Sequence, residues 1–157
     1  MDYDLTRRVL AALEQAGVQY VVFGGVALNL HGLPRATEDL DIFVAPERDN
    51  IERLKAGLRS VFDDPCIDEI TADDLLGEYP AVRYVPPSGD FHIDILTRLG
   101  ERFDFASLLS ERVDLEGVLV SIVTPETLYR MKRRTVRPKD WGDAERLARR
   151  FGLKDEE

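Results

Sequence analysis

The sequence predicts an α/β (α+β) fold, a small mixed β-sheet flanked by helices, with two further helices at the C-terminal end. Three observations carry this expectation. Apolar β-branched runs alternate with amphipathic helical stretches over the first 62 residues, two strand pairs joined by tight turns follow, and two proline-opened helical segments close the chain.

In chain order, Leu5, Val9, Ala12 and Ala16 repeat at helical spacing over residues 4–16, and Gly17 supplies the stop. The run "QYVVF" reads as a strand broken by Gly24 and Gly25, after which "VALNLHG" fits a short buried helix ended by Gly32. "DLDIFV" is the second strand. Pro46 opens a helix through residue 62, with Ile51, Leu54, Leu58 and Phe62 on its inner face. An acidic connection follows, in which Thr71 and Asp74 resemble a capping box for one helical turn. "AVRYV", "PPSGD" and "FHIDIL" form a hairpin, and "VDLEGVLVSIV" a second about Gly117. Thr124 caps a helix with Pro125 at its first position, and Pro138 starts the last helix, whose Trp141, Ala144, Leu147 and Phe151 form an apolar stripe.

A chain of 157 residues without a Pro/Gly/Ser-rich linker suits one domain. No apolar run approaches the roughly 20 residues that span a bilayer, so no membrane partner is expected. The charged start "MDYDLTRRVL" does not read as a signal peptide, and the single Cys66 cannot form an internal disulfide, which together suit a cytoplasmic location. The net charge of -9 argues against a nucleic-acid partner, but residues 128–150 hold nine basic and three acidic side chains, a local +6 that leaves -15 elsewhere.

The chemistry concentrates on the aspartates. Alternation along a strand projects Asp39 and Asp41 together while Leu40, Ile42 and Val44 enter the core. In "FHIDIL" the core positions are Ile93 and Ile95, which leaves His92 and Asp94 opposite. Pairing of the two strands makes Asp94 a third carboxylate at one cation site. Crowded carboxylates repel, and Mg²⁺ relieves the repulsion with oxygen ligands. His31 and His92 lack a ligand constellation in the sequence and read as structural. Trp141 reads as core, Asp140 as a helix cap, and Asp143 as a partner for Lys139.

This pattern resembles the DNA polymerase β-like nucleotidyltransferase superfamily: a strand, Gly24-Gly25, a short helix, Asp39-x-Asp41 and a later Asp94. It is most similar to the AbiEii-like nucleotidyltransferase toxins and related small proteins. The residues that carry this likeness are Gly24, Gly25, Ala27, Gly32, Arg35, Thr37, Asp39, Leu40 and Asp41, with a downstream block at Lys132, Arg137, Lys139, Asp140 and Asp143. The resemblance implies a nucleotidyltransferase-like domain over residues 1–157, with the α/β catalytic core in 1–123 and the C-terminal helices in 124–154. It implies a Mg²⁺-dependent enzyme moving an NMP from an NTP, such as ATP, to a hydroxyl of an RNA end or a protein side chain, in a toxin–antitoxin setting. Asp39, Asp41 and Asp94 would be the catalytic and metal-binding residues, holding two Mg²⁺ ions. Gly24, Gly25, Arg35, Thr37, Lys132 and Lys139 would bind nucleotide and phosphate. Gly25 stands where many superfamily members carry serine, and only two helices follow the core, so a homodimer or a partner protein could complete the cleft. A non-catalytic nucleotide-binding or partner-binding regulatory protein is the rival class. A nuclease leaves the glycine turn without a role.

Overall fold

The computed structural model describes residues 3–34, 36–37, 39–78, 80–87, 91–100, 103–133 and 138–154, less the side chains of residues 138 and 139. Helix α1 (Tyr3–Gln15) buries Val9, Leu10 and Leu13 and ends at Gly17, whose φ of 72° takes the left-handed conformation that glycine adopts most readily. Strand β1 (Tyr20–Phe23) leads directly into α2 (Gly24–Leu30), so both glycines belong to the helix rather than to a turn before it. Strand β2 (Asp39–Val44) follows. Helix α3 (Arg48–Val61) begins two residues later than Pro46 predicts, because Glu47 keeps extended backbone (φ -131°, ψ 138°) and serves as the N-cap residue. Gly57 of α3 lets the two helices approach: a methyl group there would lie 3.2 Å from Leu13 of α1.

A 3-10 turn (Pro65–Glu69) and the short α4 (Ala72–Leu75) fill the acidic connection. As the sequence predicts, Thr71 caps α4 by accepting from the Asp74 N–H. Strands β3 (Ala81–Tyr84) and β4 (His92–Leu96) form the expected antiparallel hairpin. A small separate hairpin, β5 (Arg98–Leu99) with β6 (Phe103–Asp104), was not anticipated, since two-residue strands carry no alternation to read. A 3-10 turn (Phe105–Ser107) then leads to β7 (Ser110–Leu115) and β8 (Val118–Val123), joined at Glu116 and Gly117. Both have positive φ, as the primed hairpin turns require.

The main sheet has the order β3-β4-β2-β1-β8-β7 and is mixed: β1 is antiparallel to β2 but parallel to β8, and β2 is parallel to β4. Leu40, Ile42, Ile93 and Ile95 are fully buried on one face of it. Helices α5 (Pro125–Arg133) and α6 (Pro138–Phe151) pack against each other. Thr124 caps α5 by accepting from the Thr127 N–H at 3.3 Å. The stripe read for α6 is corrected in part. Ala144 and Leu147 are buried, but Phe151 is exposed and Trp141 is 50% exposed, the latter because the helix turns Asp140 and Asp143 inward instead. Among the described residues, no helix is long and apolar enough to cross a membrane.

One buried polar residue ties the start of β1 to the end of β2. Asn50, fully enclosed on α3, accepts from Gln19 N–H at 2.7 Å and donates to Gln19 and Ala45 carbonyls at 3.0 and 3.1 Å. Replacing it removes three hydrogen bonds; the Gln19 and Ala45 carbonyls each keep one backbone donor, and the Gln19 N–H loses its side-chain acceptor. Asn50→Ala is expected to cost about 1–3 kcal/mol in urea unfolding, with the denaturant slope unchanged.

Candidate active site

Strand pairing alone assembles the centre of the site. Directly paired residues share a face, so the register Phe23↔Asp41, Asp41↔Asp94 and Asp94↔Arg83 lays one row across β1, β2, β4 and β3. A second, shorter row pairs Asp39 with His92. The three predicted carboxylates therefore converge, in a cleft of about 530 Å³ whose far wall is Leu128, Met131 and Lys132 of α5 and Asp140 of α6.

The row places negative charges close together. Burial, first, and then the charges of Asp94 and Asp39 push the Asp41 carboxyl up to about 7, with Lys132 opposing the shift. Asp94 is gripped through both oxygens by Arg83, whose Nε and Nη2 donate at 2.8 and 3.3 Å. His92 Nε2 lies 2.5 Å from an Asp39 oxygen and 3.9 Å from Asp94. One ligand atom each from Asp39, His92 and Asp94 falls within 4.8 Å of the others, a spacing that fits a metal ion. The site thus passes a simple chemical test for a divalent cation: like charges are held together and the donors converge.

The two glycines that open α2 are fitted to these side chains. Gly24 has φ +69°, and a Cβ there would lie 2.1 Å from Asp41 Oδ2, so the carboxylate occupies the volume a side chain would need. At Gly25 a Cβ would come within 2.9 Å of Thr37 Cβ and 3.1 Å of Thr37 Oγ1. Thr37 is itself fixed by the Asp39 N–H, which donates to Oγ1 at 3.2 Å. A serine at position 25 has no room unless Thr37 moves, which gives the Gly-Gly pair a steric reason in this chain. The last helix steadies the same approach, since Arg146 donates to the Pro34 carbonyl at 2.8 Å.

Of the predicted phosphate-binding residues, Gly24, Gly25, Thr37 and Lys132 lie in or beside the cleft. Arg35 and the Lys139 side chain fall outside the described residues, as does Arg137 of the downstream block. Lys132 is buried and ion-paired at 3.0 Å to Asp140 and 3.3 Å to Asp143, both themselves buried. Asp140 is therefore the buried partner of a lysine on the preceding helix, and Asp143 is shared between Lys132 and Arg146. Arg133, one residue on, turns away and lies 5.7 Å over the Tyr129 ring. His31 is structural, as read: its Nε2 meets the Val123 carbonyl at 2.8 Å. The reading of His92 as structural is corrected, because the β2–β4 register puts it beside Asp39 in the carboxylate cluster. Arg83 was also missed. The hairpin "AVRYVPPSGDFHIDIL" contained the signal, since its alternation puts Arg83 on the strand face of Asp94 once the register is known.

A mixed sheet presenting a row of aspartates toward a glycine-opened helix defines a nucleotidyltransferase-like fold. The model of the family described as "Nucleotidyl transferase AbiEii toxin, Type IV TA system" matches residues 8–157, and the chain belongs to this family of nucleotidyltransferases. Solved structures agree at the level of fold. An antigenic nucleotidyltransferase-like protein from Paracoccidioides brasiliensis superposes with TM-score 0.59 at 19% identity, covering 93% of this chain and 76% of that one. ANT(2'')-Ia in complex with adenylyl-2''-tobramycin gives 0.58 at 15% identity, covering 96% and 89%. A nucleotidyltransferase-like protein from Thermotoga maritima gives 0.56 at 15%, covering 95% and 91%. No curated protein matches the sequence.

Two outcomes follow from the geometry. Gly24→Ala should cost at least the ~1–2 kcal/mol of a left-handed backbone and also displace Asp41, visible as a lowered unfolding midpoint. For Asp41, the folded carboxyl titrates near 7 against 3.8 when unfolded, so the folded state binds the extra proton. Its contribution to metal-free stability is full below pH 4 and is lost as pH rises through 7. Asp41→Asn should raise the metal-free melting temperature at pH 8, with the difference shrinking toward pH 4.

Proposed function

We propose that this cleft transfers an NMP from an NTP to a hydroxyl acceptor, an RNA end or a protein side chain, in a divalent-cation-dependent reaction within a toxin–antitoxin context. The observation that carries the reading is the convergence of Asp39, Asp41 and Asp94 from two parallel strands beside Gly24. The acceptor oxygen attacks the α-phosphorus, a new O–P bond forms, and the bond to the bridging oxygen breaks to release pyrophosphate. A cation held by the carboxylates supplies Lewis-acid stabilisation of the phosphate oxygens when bound.

The chain's own residues orient and neutralise. Asp39 and Asp41 act as the paired acidic ligands, and Asp94 accepts the hydroxyl proton as the nucleophile attacks. Gly24 leaves the backbone bare where the triphosphate must approach, with Gly25 and Thr37 shaping the next turn. Lys132 offsets negative charge from the α5 side, and Arg83, whose side chain is 60% exposed, has room to trade Asp94 for a phosphate oxygen. Arg35 and Lys139 complete the phosphate-binding set in this reading. The apolar part of the cleft wall, Leu128 and Met131, suits the flat face of a base. The adenylyl-tobramycin complex of ANT(2'')-Ia, a fold neighbour, is consistent with a nucleotidylated acceptor at such a cleft.

Pyrophosphate release from each of the four NTPs, measured with total RNA or total protein as acceptor, tests the reading. Asp39→Ala and Asp94→Asn should each lower release by at least about 10²-fold while the protein stays folded. Release unchanged in both variants would remove these carboxylates from the chemistry.

A further inference from the structure

We propose that His92 is a direct ligand of the cation at this site, together with Asp39 and Asp94, and that its nitrogen makes the site favour a first-row transition ion such as Mn²⁺ over Mg²⁺. The proposal rests on the reading above for the presence of a cation in this cleft, and it names which ion and which atom hold it.

The placement comes from the backbone. Parallel pairing sets His92 opposite Asp39, and strand alternation sets it on the same face as Asp94. The imidazole turns Nε2, rather than a ring carbon, into the cluster, 2.5 Å from Asp39 Oδ1 and 3.9 Å from Asp94 Oδ2. That nitrogen is closed off from solvent and has no hydrogen-bond partner: it is not aligned with the near Asp39 oxygen, and Asp94 at 3.9 Å is out of reach. A buried polar atom is normally paired, so a nitrogen packed beside two carboxylates without a hydrogen bond is a donor that a cation among the three groups would satisfy. The three donor atoms already lie within 4.8 Å of one another.

The donor set decides the ion. A hard, strongly hydrated ion such as Mg²⁺ favours carboxylate, carbonyl and water oxygens, whereas imidazole suits later transition ions and its affinity rises along the Mn-to-Cu series. Two carboxylates with one imidazole suit an ion that accepts both donor types. Three aspartates alone would carry a smaller bias, set only by the reluctance of Mg²⁺ to shed water. The sequence holds two histidines, and His31 is occupied elsewhere by the Val123 carbonyl and Glu111. Any imidazole nitrogen found on a bound cation therefore has one source.

The test uses the full chain with Mn²⁺ and no nucleotide, read by electron spin-echo envelope modulation. The expected result is ¹⁴N modulation from one directly bonded imidazole, replaced by the ¹⁵N pattern when the protein is grown with ¹⁵N-histidine. This needs no substitution and so no assumption about folding. His92→Gln should abolish the modulation and His31→Gln should keep it. By calorimetric competition, Mn²⁺ should bind at least about tenfold more tightly than Mg²⁺, and His92→Gln should narrow that gap several-fold. Bound Mn²⁺ without nitrogen modulation, a gap unchanged in His92→Gln, or no Mn²⁺ binding would each overturn the proposal. Pyrophosphate release, assayed in Mn²⁺ as well as in Mg²⁺, separates the two readings. Transfer with a nitrogen-free Mn²⁺ signal rejects His92 alone, whereas nitrogen modulation without transfer keeps the ligand and rejects the reaction.

Discussion

The parallel pairing of β2 with β4 is the constraint on which the rest of the site depends. Its register sets Asp41 against Asp94 and Asp39 against His92, so the backbone ladder holds acids at adjacent sheet positions whatever their mutual repulsion. Much of the surrounding structure answers that charge. Gly24 gives up its side chain so that Asp41 can sit over its Cα, Arg83 takes both oxygens of Asp94, and Lys132 brings a buried ammonium toward Asp41. The core-facing isoleucines and leucine on the same strands hold the arrangement, because a slip of one residue would turn all of them to the other face.

The C-terminal helices contribute more than cover. The basic stretch that stands out in the sequence divides into two roles. Lys132 points inward and is locked by Asp140 and Asp143, while Arg133 stacks over Tyr129 on the other side of α5. A buried ion triad of this kind is a weak source of stability, since desolvation offsets most of the Coulombic gain. Its effect is positional: it fixes where α6 lies against α5 and keeps a positive group at the cleft wall.

How much of this was legible follows from what each residue needs. Asp39, Asp41 and Asp94 were readable because strand alternation is local, and the paired hairpins because their turns carry Gly and Pro. Thr71, Thr124 and Gly17 announced helix ends through cap chemistry that also depends on a few neighbouring residues. His92 and Arg83 were not readable in the same way, because their roles depend on the register between strands that local alternation does not set. Trp141 misled for a related reason. An apolar residue at helical spacing predicts burial, but Asp140 and Asp143 were drawn inward by a lysine on another helix, and the rotation that serves them exposes the indole. The Gly-Gly pair was visible, yet its cause, the Thr37 side chain filling the space beside Gly25, is a tertiary contact that no local pattern encodes.

The central claim is that this site moves a nucleotidyl group. Parallel reactions with the same NTP labelled at the α- or the γ-phosphorus test it most directly. The account predicts acceptor-bound label from the α position only, lost in Asp94→Asn. Label from the γ position, or α-label recovered only as free nucleotide, would contradict it.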